Sequence, residues 1–288
     1  MIVKAERART VREVLAAVTR ELAGAGCVSA RAEARWLVGE VLGLDRPELA
    51  ARATPLPGPA RERLAVMVAR RVAGEPLQYV VGWAPFGPLR LAVGPGVFVP
   101  RPETEGLAER AAGLLRAHPG PRLAVDLCTG SGAVACFLAD AVPGARVLAT
   151  ELDPRALVWA RRNADRHRVE LLAGDLDGPL PPELAGRVQV MTANVPYVPT
   201  AAIDLLPRDV REHEPRLALD GGPDGLEVLR LVASRAPRWL EPGGVLLCEV
   251  GDDQGGAATH VLEQAGFREV GVHPDLVGRD RVIQGRRP

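Results

Sequence analysis

From Glu105 onward the chain alternates short apolar runs with longer amphipathic stretches, and this alternation constrains the fold more than any other feature. The spacing predicts helix over about 104–117, strand 122–127, helix 131–141, strand 146–151, helix 154–166 and strand 169–173. Strand 187–193, helix 224–240, strand 244–250, helix 254–265 and terminal strands near 267–273 and 280–285 continue the series. Strands separated by helix-length segments cannot pair through tight hairpins, so an α/β domain over 104–288 with a mostly parallel sheet and helices on both faces is expected.

Residues 8 to about 82 carry a helical pattern instead. Thr10 and Glu13 form a capping-box start, and Val11, Val14, Leu15, Val18 and Leu22 follow at helical spacing until Gly24-Ala25-Gly26. A second helix begins near Ser29 and meets Gly43; a third spans roughly Pro59 to Val72 before Gly74. The region 1–84 therefore reads as a small helical domain that either caps the catalytic core or recognises substrate. Between the two, residues 85–103 are rich in Gly and Pro, and Leu89–Val93 with Val97–Val99 predict a hairpin linker.

Across 288 residues, 47% apolar and 25% charged content describe a globular protein, and a formal net charge of zero argues against phosphate backbones as direct partners. Cys27, Cys128, Cys136 and Cys248 have neither C-x-x-C spacing nor histidines at ligand intervals, so no metal site or disulfide framework is expected. Met1–Arg7 lacks an apolar leader core, and no apolar stretch reaches the roughly 18 residues of a membrane span. The expectation is a cytoplasmic monomer with no membrane or direct nucleic-acid partner.

Two motifs carry chemistry. Asp126-Leu127-Cys128-Thr129-Gly130-Ser131-Gly132 follows an apolar strand and opens a helix, where glycines let backbone N–H groups approach a ligand. A dinucleotide loop needs G-x-G-x-x-G, and Cys128 occupies its first glycine slot, so the spacing favours a nucleoside with an amino-acid tail. Glu151, ending the next strand, is placed to accept ribose hydroxyls, unless it only starts the following helix. Asp175 ends a third strand and faces an adenine amino group or simply closes a turn.

The second motif is Asn194-Val195-Pro196-Tyr197. The Asn194 side-chain oxygen and the Val195 carbonyl offer two adjacent acceptors for the two N–H donors of an amino or carboxamide group. Pro196 holds Val195 extended, so these acceptors are preset, and Tyr197 adds a flat apolar wall.

At these residues the chain resembles the HemK/PrmC family, the S-adenosylmethionine-dependent N5-glutamine methyltransferases that modify peptide chain release factors. Segments similar to the family run in family order: Glu75-Pro76-Leu77-Gln78-Tyr79, Phe98-Val99-Pro100-Arg101-Pro102-Glu103-Thr104-Glu105, the glycine loop, Asn194–Tyr197, Glu214-Pro215-Arg216 and Gly221-Gly222-Pro223-Asp224-Gly225. The resemblance implies a seven-strand Rossmann-like methyltransferase fold behind a helical substrate-recognition domain. It implies S-adenosyl-L-methionine as cofactor, S-adenosyl-L-homocysteine as product, and a protein acceptor carrying a target glutamine. Cofactor contacts are expected at Asp126, Thr129, Gly130, Ser131, Gly132, Glu151, Asp175 and Asn194. Catalysis falls to Asn194, Val195, Pro196 and Tyr197, and substrate binding to Asn194, Val195, Tyr197 and Glu214.

Two positions depart from the family pattern: Val195 replaces the first proline of Asn-Pro-Pro-Tyr, and Cys128 replaces the first loop glycine. A backbone carbonyl can come from any residue, so the acceptor at 195 survives the change. Glu214 is expected to touch substrate or to buttress the long segment from Thr200 to Gly222, a candidate lid. Two other readings compete: adenine-N6 methylation of a flipped base, and a non-catalytic protein that binds the cofactor.

Overall fold

In the computed structural model, which describes residues 10–44, 55–275 and 278–288, the chain divides into two compact units. One comprises Met1–Gly82 with Arg208–His213, the other Trp83–Pro207 with Glu214–Pro288. The reading of Met1–Arg7 lies outside the described residues.

In the first unit Thr10 caps α1 (Val11–Gly24) by a reciprocal pair. Its hydroxyl accepts from Glu13 N at 3.3 Å, and its own N–H donates to Glu13 Oε2 at 2.8 Å. Val11, Val14, Val18 and Leu22 are buried, as their spacing predicts. Helix α2 (Ala30–Leu42) stops at Gly43 in the left-handed conformation, and α3 (Gly58–Val72) packs Leu64, Met67 and Val68 into the same core. Arg71 on α3 makes a forked pair with Glu33 on α2 at 2.6 and 3.2 Å. A fourth helix, α4 (Leu77–Val81), lies between Pro76 and Gly82; five residues are too few to display a helical period in the sequence.

In the second unit β1 (Trp83–Phe86) and β2 (Leu89–Ala92) form the hairpin. The expected pairing with Val97–Val99 is not made: those residues are not a strand, although Val97 and Val99 are buried. Helix α5 (Glu105–Ala117) leads into β3 (Leu123–Leu127), α6 (Ala133–Ala141), β4 (Arg146–Glu151), α7 (Pro154–His167), β5 (Glu170–Ala173) and β6 (Val188–Ala193). After β6 the chain sends the short α8 (Arg208–His213) to the first unit, then forms α9 (Glu227–Arg235), β7 (Leu240–Glu249), α10 (Gly255–Gln264), β8 (Arg268–Pro274) and β9 (Asp280–Arg286). The seven-stranded sheet runs β5-β4-β3-β6-β7-β9-β8, with β3, β4, β5, β6 and β7 parallel and β9 antiparallel to both neighbours.

The expected helix 224–240 is shorter because Pro237 interrupts it; a 3₁₀ turn (Ala236–Arg238) follows, and β7 begins at Leu240. The segment Thr200–Gly222 is not one open loop: it holds a 3₁₀ turn at Thr200–Leu205, then α8, then a 3₁₀ turn at Arg216–Ala218.

Every residue of β3 and β6 is buried, with Leu127, Met191 and Leu246 in the core on one face and Ala124, Val190 and Leu247 on the other. Strand order reverses between β3 and β6: connections from β3 run outward through β4 and β5, and those from β6 run the other way. Ligands bind α/β sheets in the crevice beyond the carboxyl ends at such a reversal. No helix among the described residues is long and apolar enough to cross a membrane.

Candidate active site

A cavity opens at that crevice. The loop after β3 reaches it by a run of left-handed residues, Cys128 at φ 53°, Gly130 at 58° and Gly132 at 85°. Glycine adopts this conformation without strain and cysteine does not, which gives the family's glycine at position 128 a physical meaning.

Asp126 is 1% exposed and holds the loop to both central strands. Its Oδ2 accepts from Thr129 Oγ1 at 2.6 Å, and its Oδ1 accepts from Thr192 Oγ1 at 2.7 Å. Burial pushes its pKa up to about 6 against the effect of those bonds. Glu151 ties the loop to β4: Oε2 accepts from Gly130 N at 2.8 Å and Oε1 from Asp153 N at 2.8 Å. Burial raises its pKa, while backbone donors favour the charged form.

Asn194 follows β6 directly and donates from Nδ2 to Thr104 Oγ1 at 3.3 Å. That assignment leaves its Oδ1 as an acceptor. Tyr197 donates its hydroxyl to Glu249 Oε1 at 3.2 Å, and burial raises the phenol's pKa. The backbone between them is fixed from outside. Gln254 Nε2 donates to the Tyr197 carbonyl at 2.9 Å, and Val198 exchanges bonds with Leu219 and Gly221, both at 2.9 Å. A Cβ on Gly225 would stand 2.2 Å from the Tyr197 carbonyl oxygen, so only glycine permits this approach.

The structure brings Asp126, Thr129, Gly130, Ser131, Glu151, Asp175, Asn194, Pro196 and Tyr197 together on the cavity wall. Three of the residues singled out in the sequence are not on it. Gly132 lies beneath the loop as the first cap of α6. Val195 turns its side chain into the core, where it is 2% exposed. Glu214 stands behind Pro215, paired with Arg101 at 2.5 Å, and that guanidinium covers the Phe98 ring at 4.7 Å. Phe98 and Pro215 themselves line the cavity, with Thr104 and the half-exposed Leu152, Leu217 and Leu231.

Sequence reading gave no role to Thr104 or Glu249. The signal for Glu249 was its place one residue before the end of the expected strand 244–250, near the carboxyl end where sheets of this kind put functional groups. Thr104 carried no comparable signal, because its partner Asn194 is 90 residues away.

Residues 13–82 match the PrmC N-terminal domain family. The chain is 43% identical to the release factor glutamine methyltransferase of Mycolicibacterium smegmatis, covering 96% of this chain and 98% of that one. It is 42% identical to the protein of the same name from Streptomyces coelicolor, covering 95% and 96%. Among solved structures, a methyltransferase from Pyrococcus furiosus aligns with a TM-score of 0.52 at 21% identity, over 78% of this chain and 96% of that one, which shows a shared fold. Identity at this level over nearly the whole length establishes that the chain belongs to the release factor glutamine methyltransferase family.

Proposed function

We propose that this protein transfers a methyl group from S-adenosyl-L-methionine to the side-chain amide nitrogen of a glutamine in a peptide chain release factor, in the cytoplasm, leaving S-adenosyl-L-homocysteine. The observation that carries the reading is the Asn194 amide: with Nδ2 held by Thr104, its Oδ1 is the group offered to a substrate N–H.

The cavity suits the cofactor. Glu151 keeps lone pairs beyond the two it uses, so it can accept ribose hydroxyls while still bracing Gly130. Asp126, Glu151 and Asp175 place three carboxyl groups around the cavity, a favourable surrounding for a sulfonium cation. Leu152, Leu217 and Leu231 supply apolar rim for a purine. When bound, the cofactor supplies an electrophilic methyl group.

The protein's own part is position and local electrostatics. An amide nitrogen is a poor nucleophile, and correct alignment is worth about 7–11 kcal/mol of barrier. In this reading Asn194 Oδ1 and the Val195 carbonyl accept the two amide N–H groups, while the Val195 side chain packs in the core. As the nitrogen attacks, its N–H groups become more acidic and these bonds strengthen, which stabilises the transition state selectively. A glutamate would bring oxygens against two acceptors and is rejected. The Tyr197 hydroxyl is engaged by Glu249, so the residue offers its ring face to the glutamine stem. Glu214 acts through Arg101, holding the Phe98 wall. The helical region 1–84 supplies recognition of the acceptor, residues 104–288 the chemistry and 85–103 the link between them.

The test is methylation of a purified release factor with labelled S-adenosyl-L-methionine, read by peptide mass spectrometry. One methyl group on a single glutamine is the expected result. Methyl transfer to adenine in an oligonucleotide, with none to protein, contradicts the reading.

A further inference from the structure

Asn163 lies on α7, is 1% exposed and stands outside the cavity lining. Its Oδ1 accepts from Ala92 N at 2.8 Å, while Nδ2 donates to the Ala92 carbonyl at 3.0 Å and to the Ser131 carbonyl at 2.8 Å. Turned over, the amide would set an oxygen against two carbonyls, so these partners fix its orientation. Ala92 ends β2 and Ser131 belongs to the glycine loop, 71 and 32 residues from Asn163 in sequence. No step of the methyl transfer described above uses Asn163.

The same face of α7 holds the chain beyond Ala92. Asn163, Trp159 and Arg155 are spaced by four and share one side of the helix. Trp159 Nε1 donates to the Pro95 carbonyl at 3.2 Å. A Cβ on Gly94 would stand 2.3 Å from the Trp159 ring, and one on Gly96 would stand 2.7 Å from Arg155 Cβ, so glycine permits the close approach at both positions. This strap, 92–97, continues through Phe98 and Pro100 on the cavity wall to Thr104, whose hydroxyl meets Asn194. On the other side of the Asn163 amide, Ser131 lines the cavity from the loop that would hold the cofactor.

We propose that Asn163 is a positioning residue for methyl transfer: its amide sets the register between the cofactor loop at Ser131 and the strap at Ala92 that leads to the acceptor wall. The proposal rests on the glutamine reading of the site for the place of the acceptor, and on the hydrogen bonds for the place of the loop. Methyl donor and amide nitrogen are held by different segments of chain, and a misplacement of about 1 Å can cost roughly 10²-fold in rate. One buried amide bonded to both segments gives them a common reference.

The test uses the full chain with Asn163→Asp, Asn163→Ala and Gly94→Ala, and with Leu262→Ala, a buried residue of α10 outside the cavity lining, as control. Asn163→Asp keeps the shape and, when ionised, loses both donors; Asn163→Ala leaves room for water at the two carbonyls. In each, the Kd of S-adenosyl-L-homocysteine should rise about fivefold or more, and single-turnover methylation with cofactor and acceptor both saturating should slow about tenfold or more. Gly94→Ala displaces only the strap, so the rate should fall about fivefold or more while the Kd stays within about threefold of wild type. Leu262→Ala should lower the melting temperature and leave Kd and rate within about threefold, which separates register from general loss of stability.

Wild-type Kd and rate in a folded Asn163→Asp overturn the proposal; should that variant fail to fold, the same result in Asn163→Ala overturns it equally. A rise in Kd without a fall in the saturated rate overturns it too, because the loop then acts without the strap, as does an unchanged rate in Gly94→Ala. Equal losses in Leu262→Ala and the Asn163 variants at matched melting temperature show that Asn163 serves stability alone. If the wild-type protein methylates no glutamine, the function assigned to the site fails, and the Kd of the Asn163 variants still decides whether the amide places the loop.

Discussion

The backbone N–H of Gly130 donates to Oε2 of Glu151 at 2.8 Å, so the glycine loop and the end of β4 hold one another in place. Removing the carboxylate therefore loosens the loop as well as deleting a ribose acceptor. Glu151→Ala should weaken S-adenosyl-L-homocysteine by about 2–3 kcal/mol, the scale of bonds to a charged group. Calorimetry checks this; an unchanged Kd means that Glu151 only braces the loop.

Asp126 has the opposite pH behaviour from a surface carboxylate. Burial raises its folded pKa to about 6, above the value of about 3.9 in an unfolded chain. Between those values the folded state binds more protons than the unfolded state, so this residue's contribution to stability falls as pH rises through that window. At about 1.4 kcal/mol per pKa unit, the change is on the order of 3 kcal/mol. Urea denaturation at pH 4, 5, 6 and 7 should show wild type losing stability relative to Asp126→Asn as pH rises; a constant difference shows that Asp126 has no raised pKa.

Cys128 carries a side chain where φ is 53°. A left-handed conformation costs a non-glycine residue about 1–2 kcal/mol, and glycine relieves that cost while losing the thiol's packing. Cys128→Gly should stay within about 1 kcal/mol of wild type, whereas Cys128→Val should lose about 2 kcal/mol or more because a branched chain resists this backbone. Thermal melting of both variants checks the contrast.

Gly225 is a second fixed point. Its φ is 75°, and an added Cβ meets the Tyr197 carbonyl oxygen and Gln254 Nε2 at 2.2 and 2.5 Å. Gly225→Ala should cost about 2–4 kcal/mol and depress methyl transfer by displacing the motif. Gly243→Ala has φ 79° but open space around it, so it should cost only about 1 kcal/mol. Equal losses in the two variants contradict the close approach.

These sites differ in how far the sequence discloses them. The capping box at Thr10 and the stop at Gly43 are local signals, and the central strands are buried on both faces, so their apolar runs are conspicuous. Helix α4 and the three short helices between Thr200 and Ala218 are hidden, since none is long enough to show a period. Val97–Val99 has the composition of a strand but is not one: the Val97 N–H closes a turn onto the Gly94 carbonyl, and β2 pairs with β1 at Leu89–Ala92. Asn194, Glu151 and the glycine loop announce themselves as motifs. The groups that aim Asn194 and Tyr197 do not: Thr104 and Glu249 reach them only after the sheet has brought distant segments together.

The most direct measurement is single-turnover methylation of a glutamine acceptor by Asn194→Ala. This variant removes one preset acceptor while the substrate amide must still leave water. The rate should fall by roughly 10² or more, with the Kd of S-adenosyl-L-homocysteine changed no more than a few-fold. A near wild-type rate contradicts the two-acceptor clamp and the assignment of glutamine that depends on it.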